Sequence, residues 1–139
     1  MQKNIKIKEF TDYLDFTLNF TDLVEMINKK DDYKTWHTVL SAVAGIYLIL
    51  DKSTGNKYVG SAYGTEGILG RWKTYVSTNG SGGNLQLDNL IKQDSSYARN
   101  FQFTILQTLS KTITPHETIK KEINWKNKLG TQAFGLNSN

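Results

Sequence analysis

A few side chains in the later part of the chain have the types and spacing to act on an anion. Tyr47 and Tyr58, with ten residues between them, sit in two short β-rich runs. If an even number of residues joins the two strands, both phenols leave the same face of the sheet. Two phenols side by side serve as packing, or as proton acceptors when cations surround them; the residue type leaves both roles open. Arg71 and Tyr75 are four residues apart and share a helix face. Arg71 is either a solvated helix charge or a fork for phosphate oxygens. Glu122 lies at helical spacing from Ile119, Ile123 and Trp125. A carboxylate beside an apolar stripe is partly desolvated and needs a cation, whether Lys121, Lys126 or a metal. Glu117 is better explained as a helix cap, and His116 as an exposed residue at the same helix start. There are no cysteines, and His37 and His116 are the two histidines. That excludes disulfides, thiolate zinc, a cysteine nucleophile and an all-histidine metal site. Any metal is a hard cation held by oxygen.

The elements that must position these groups are legible in pattern. Residues 45–50, Gly-Ile-Tyr-Leu-Ile-Leu, predict a strand, and residues 57–62 predict its return, across the turn residues 51–56. Residues 67–75 have helical spacing, with Ile68, Leu69, Trp72 and Val76 on one side. The glycine-rich run 78–84 is a loop, 85–91 a helix, and the alternating run 100–106 a third strand. Thr114, Pro115 and Glu117 make a helix start with an N-cap, a proline at N1 and a capping-box glutamate; Gly130 ends that helix. Residues 1–44 read as an accessory segment. It has a short amphipathic helix capped at Thr21, an interruption at Asp31-Asp32, and a second short helix over 36–43. No Pro- or Gly-rich linker follows, so the segment is expected to pack on the main domain, 45–139.

The chain has 139 residues, 38% of them hydrophobic and 22% charged, which are globular values for one domain's length of chain. No apolar run is long enough to span a membrane. The start, Met1-Gln2-Lys3-Asn4, leads into no signal core, which predicts an intracellular, cytoplasmic protein. Net charge is +4, unevenly spread. Residues 1–44 hold six lysines against seven Asp or Glu, net −1, whereas residues 45–139 hold eleven Lys or Arg against six Asp or Glu, net +5. A basic surface of that kind favours a polyanion, and equally serves solubility.

Gly45-Ile46-Tyr47, then ten residues, then Tyr58-Val59-Gly60 resembles the signature of the GIY-YIG nuclease superfamily. The resemblance continues through Arg71 in the following helix, Glu122 three residues before Trp125, and the closing run Phe134-Gly135-Leu136-Asn137. It implies an α+β fold, a small three-stranded antiparallel sheet flanked by helices. It also implies hydrolysis of DNA phosphodiester bonds with one divalent cation, normally Mg²⁺. By that resemblance Glu122 is the sole protein ligand of the metal and Arg71 holds and neutralises the scissile phosphate. Tyr47 activates water or relays its proton, and Tyr58 orients that network. Asn137 supports the site from the chain end, Tyr75 stands where relatives carry histidine or tyrosine, and Lys57 is a candidate to orient or deprotonate Tyr47. Several relatives carry a histidine in the glycine-rich loop; here residues 79–84 have none, which leaves tyrosine or the metal to activate water.

The expected function is therefore a Mg²⁺-dependent DNA endonuclease of restriction, defence or a mobile element. The alternative is a nuclease-derived module that binds DNA with weak or lost cleavage; a structural or interaction domain is the third. The expected substrate is double-stranded DNA. One active site cuts one strand, so cutting both would call for two encounters or a homodimer.

Overall fold

The computed structural model describes residues 7–138; the expectations drawn from Met1–Asn4 lie outside them. Its centre is a hairpin of β2 (Ala44–Asp51) and β3 (Lys57–Ala62), built from the β-branched and aromatic runs at 45–50 and 57–62. Register places Tyr47 opposite Gly60 and Ile49 opposite Tyr58, so Tyr47 and Tyr58 share a face. The third long strand, β4 (Phe101–Leu109), pairs antiparallel with β2 on its other side. Ile46 stands opposite Gln107 and Tyr47 opposite Ile105, so Leu106 is an extra residue on β4, a bulge beside Tyr47.

The sheet has four strands, not three. Leu18–Asn19, here β1, pairs with Phe103 and Gln102 of β4, giving the order β1-β4-β2-β3. Two residues are too few for a period-2 pattern, so the pairing is invisible in sequence. The residues that follow form α1 (Phe20–Asn28). Its N-cap is Asn19, not Thr21: the Asn19 side chain accepts from the Asp22 amide, and Asp22 reciprocates to the Asn19 amide. Both residues offer a short oxygen-bearing side chain, but Asn19 is the one left extended by β1. A single 3₁₀ turn over 30–32 leads to α2 (Lys34–Ser41), two residues ahead of the expected start.

On the face of the sheet that carries Tyr47 lies α3 (Gly67–Ser77). Trp72 meets Tyr47, Phe103 and Phe16 edge-on, with ring centroids 6.2, 5.7 and 6.3 Å away. Phe16 in turn meets Trp36 edge-on at 4.9 Å, and Trp36 meets Phe10 at 5.3 Å. Residues 10–40 thus share one apolar core with the hairpin, through Leu18, Leu23, Met26, Trp36 and Leu40, all buried. The short helix α4 (Leu85–Gln93) inserts only Leu87 fully.

The opposite face takes α5 (Pro115–Leu129), which starts at the expected Thr114 cap and ends at Gly130, left-handed with φ 65°. Trp125 fixes it to the sheet by donating from Nε1 to Gln107 Oε1 at 3.0 Å. The last turn, α6 (Thr131–Phe134), returns the chain to the open edge of β3. There the Leu136 amide donates to the Lys57 carbonyl, and the buried Asn137 side chain pairs with Val59 in both directions: the Val59 amide to Oδ1 and Nδ2 to the Val59 carbonyl, each 2.8 Å. One amide side chain thus does for an edge strand what a neighbouring strand would do. Among the described residues, no helix is long and apolar enough to cross a membrane.

Asn137→Ala strands two buried backbone groups of Val59. We expect a loss of roughly 1–3 kcal/mol for each, read as a lowered Tm and faster amide exchange at Val59. An unchanged Tm would show that the edge is satisfied without Asn137.

Candidate active site

An open cavity of about 630 Å³ lies where β3 runs into the turn at 63–66. Its wall includes Tyr47, Tyr58, Ser61, Arg71, Ile119 and Glu122. Ser61 follows Gly60 directly, so its side chain leaves the sheet on the face opposite Tyr47. The cavity therefore gathers groups from both faces around the end of one strand.

On the α3 side the polar groups form a chain. The Tyr47 and Tyr75 hydroxyls share a hydrogen bond of 2.8 Å. Arg71 donates from Nε to the Tyr47 oxygen at 3.2 Å and from Nη2 to the Gly82 carbonyl at 2.9 Å, and its guanidinium lies 4.8 Å over the Tyr75 ring. Tyr47 and Tyr75 are completely buried. Two glycines make room for them. A Cβ at Gly60 would overlap the ring end of Tyr47, and one at Gly82, which has φ 59°, would overlap the Tyr75 ring. The glycine-rich loop is thus a bracket: Gly82 covers Tyr75, its carbonyl holds Arg71, and its amide donates to Thr78 Oγ1 at 2.8 Å. Ser81, which stands in the histidine-free loop, is buried and its hydroxyl accepts from the Gly83 amide.

Burial pushes the Tyr47 phenol well above the ordinary tyrosine range, and the neighbouring Tyr58 adds to that; Arg71 and the bond to Tyr75 pull the other way and do not offset it. Among the protein's own groups, the nearby guanidinium thus does not bring the Tyr47 phenol down to where it serves as a base. Tyr75 is raised too, by burial first and then by Tyr47. Burial works against the charge of Arg71, but the oxygens of Tyr47 and Tyr75 outweigh it and raise its pKa further, so the guanidinium stays charged. In the free protein the site thus presents a fixed cation and protonated phenols.

On the α5 side, Glu122 accepts from Ser61 Oγ at Oε1, and Lys126 Nζ lies 2.7 Å from Oε2. The Glu122 side chain is 16% exposed and that of Lys126 5%, so a buried ammonium meets a half-buried carboxylate, unlike a surface bridge. Its i,i+4 spacing is legible in the sequence; that Lys126 points inward is not. Lys126 is one of the lysines expected to pair with Glu122, whereas nothing in the residue types singles out Ser61 or Gly82.

The remaining expected residues divide. Tyr58 lines the cavity, half-buried, on the face of Tyr47. Asn137 lies at the back of β3, bonded to Val59, and touches the site only through that strand. Lys57 is not brought in: its ammonium donates to the Gly55 carbonyl in the hairpin turn at 3.2 Å. Its side chain leaves the sheet one residue out of phase with Tyr58, hence on the other face.

A hard divalent cation suits the donor set. Among the described residues, no three His, Cys, Asp or Glu side chains come together. A cage made wholly by protein is therefore not on offer there, but a carboxylate with a hydroxyl beside it in an open polar cavity is. Mg²⁺ is commonly bound this way, through one or two carboxylates with water and substrate phosphate completing the shell.

The fold is similar to that of the catalytic domain of the intron endonuclease I-TevI, solved as a glutamate-to-alanine mutant. The TM-score is 0.55 at 23% identity, over 70% of this chain and 94% of that one. No curated protein matches the chain. The model of the GIY-YIG catalytic domain matches residues 43–137, from the start of the hairpin to Asn137. The chain therefore belongs to the GIY-YIG family and carries its catalytic domain.

Proposed function

We propose that the protein is a divalent-metal-dependent DNA endonuclease, with Mg²⁺ as its metal, serving restriction, defence or a mobile element. The observation that carries this reading is the cavity that sets a fixed guanidinium, two phenols and a carboxylate around one strand end. A phosphodiester is anionic and repels a nucleophile, so its hydrolysis needs cations at the phosphate and at the leaving oxygen. Arg71 supplies one. Its Nε and one Nη2 hydrogen are spent on Tyr47 and Gly82, and the remaining N–H groups of the fork meet a phosphate oxygen in the cavity. Because two internal bonds already hold the guanidinium, little reorganisation accompanies binding.

Glu122 holds the metal, with Ser61 beside it. Bound there, the ion supplies charge neutralisation and a lowered pKa for water. Tyr47 and Tyr58 orient the nucleophilic water from the α3 side. Tyr47 is protonated in the free protein, so it enters as a hydrogen-bonding group and passes a proton only once further positive charge lowers its pKa. Tyr75 fixes its hydroxyl at 2.8 Å. DNA is the expected polyanion because residues 45–139 carry net +5.

Arg71→Ala is expected to lower turnover roughly 10²–10³-fold or more, with the far-UV spectrum unchanged. Arg71→Lys should recover only part of it, since a point charge replaces neither the fork nor both internal bonds. Alanine-variant turnover at the wild-type level would remove Arg71 from the chemistry.

Glu122→Gln is expected to abolish cleavage of supercoiled plasmid in Mg²⁺ while metal-free DNA binding persists or tightens. The variant removes a carboxylate paired with the buried Lys126 ammonium, so Tm should also fall, and cleavage must be read below its unfolding range. Normal cleavage by the folded variant would sink the metal assignment, and DNA binding without any product in the wild type would favour the binding-module reading. DNA affinity should drop steeply between low and physiological salt, measured by fluorescence anisotropy; a flat response would count against a basic DNA-binding face.

A further inference from the structure

Both oxygens of Glu122 are already engaged by this chain: Oε1 by the Ser61 hydroxyl and Oε2 by the Lys126 ammonium. Ser61 and Glu122 belong to the cavity wall, whereas Lys126 lies one helical turn further along α5, outside that lining. The two oxygens therefore differ. One is turned to the cavity beside a hydroxyl, and the other is turned to a buried cation. On a wet helix surface, a glutamate–lysine pair at this spacing does little. With 5% and 16% exposure it is only weakly screened, and removing the ammonium takes the cation away from Oε2.

We propose that Lys126 is the resident counter-cation of Glu122. Its ammonium holds the carboxylate with the Ser61 side toward the cavity, and keeps its affinity for a divalent cation low until a DNA phosphate adds ligands. The inference rests on the reading of Glu122 as the metal ligand. Two cations that share one carboxylate repel each other across its width, and the repulsion is large in a medium of low dielectric. Phosphate oxygens offset it, because they bring negative charge and further ligand atoms to the same cation. Lys126 is thus a positioning residue: it acts through Glu122 and touches no reacting atom. Its effect is to couple metal occupancy to the arrival of substrate, so that the DNA-free protein does not hold an active ion.

The test uses the full chain without DNA, titrated with Mn²⁺ by calorimetry and by thermal unfolding, and then with plasmid over a range of Mg²⁺ concentrations. Wild type is expected to bind Mn²⁺ weakly, with a small rise in Tm. Lys126→Gln should bind Mn²⁺ about tenfold more tightly or better, since the repelling charge is gone. It should also gain more Tm from the metal, which supplies the missing countercharge. Its Mg²⁺ requirement for half-maximal cleavage should fall by a similar factor. Lys126→Arg keeps the charge and should stay near wild type in both measurements. If Lys126→Gln does not fold alone, Mn²⁺ should restore its far-UV spectrum, and failure to do so overturns the proposal. The Glu122→Gln/Lys126→Gln double variant should show no gain from Mn²⁺. Equal Mn²⁺ affinity in wild type and Lys126→Gln overturns the role of Lys126, and leaves the role of Glu122 standing if Glu122→Gln has lost its Mn²⁺ response. If wild type and Glu122→Gln respond alike to Mn²⁺, with and without DNA, the metal reading fails and this inference fails with it.

Discussion

The Tyr47 side chain is buried and its hydroxyl is bonded within the protein at the edge of the cavity, and much of the structure follows from that. A buried phenol that keeps its proton must find partners inside the protein, or its burial costs about 1–3 kcal/mol. The partners come from three places: Tyr75 one turn after Arg71 on α3, Arg71 itself, and through Arg71 the carbonyl of Gly82 in the loop. Hairpin, helix and loop are thereby tied at one point. The bulky rings fit only because Gly60 and Gly82 carry no Cβ, and the positive φ of Gly82 sets the loop's path over Tyr75. The same chain that satisfies the phenol holds the guanidinium in place, so the stability of the core and the readiness of the site are one arrangement.

The other half of the site obeys a different constraint. Lys126 is buried and Glu122 partly so, and the two charges stabilise each other across 2.7 Å while the Ser61 hydroxyl bonds the other carboxylate oxygen. They are held on the far face of the sheet by α5, which Trp125 anchors to the bulged strand at Gln107. An arginine and a carboxylate placed on the same face at contact distance would neutralise each other. Here β3 stands between them, Arg71 bonding to Tyr47 on one face and Glu122 to Ser61 on the other, and both are open to one cavity. The geometry keeps both charges available to a ligand that reaches around the strand end.

The edge of that strand has to be rigid for this to work, and an unpaired edge is neither rigid nor safe from association. Leu136 and Asn137 close it with three hydrogen bonds to Lys57 and Val59. At the opposite edge, β1 borrows two residues from the segment before α1 to cover β4. Phe10, Phe16 and Trp36 carry aromatic contact from the same part of the chain to Trp72, directly behind Tyr47. Residues 10–40 thus line the back of the wall on which the site is built, whatever else they do.

Much of this is legible in the sequence. Tyr47, Tyr58, Arg71, Glu122 and Asn137 stand at intervals that point to the family, and the hairpin, the three long strands and the Thr114–Gly130 helix follow from periodicity and capping, which are local properties. What is set by long-range contacts was not legible. The two-residue β1 exists only because β4 lies beside it, and the choice of Asn19 over Thr21 as cap follows from that pairing. The spacing of Glu122 and Lys126 is written in the chain, but whether an i,i+4 pair faces water or the sheet depends on how α5 docks. Nearby cations lower a phenol and burial raises it; at Tyr47 burial outweighs Arg71, and burial is a property of the assembled core that no single residue announces. The sequence by itself determined which groups were present and in what order. The tertiary structure decided which of them lost water, and that loss sets how strongly each charge and each proton is held.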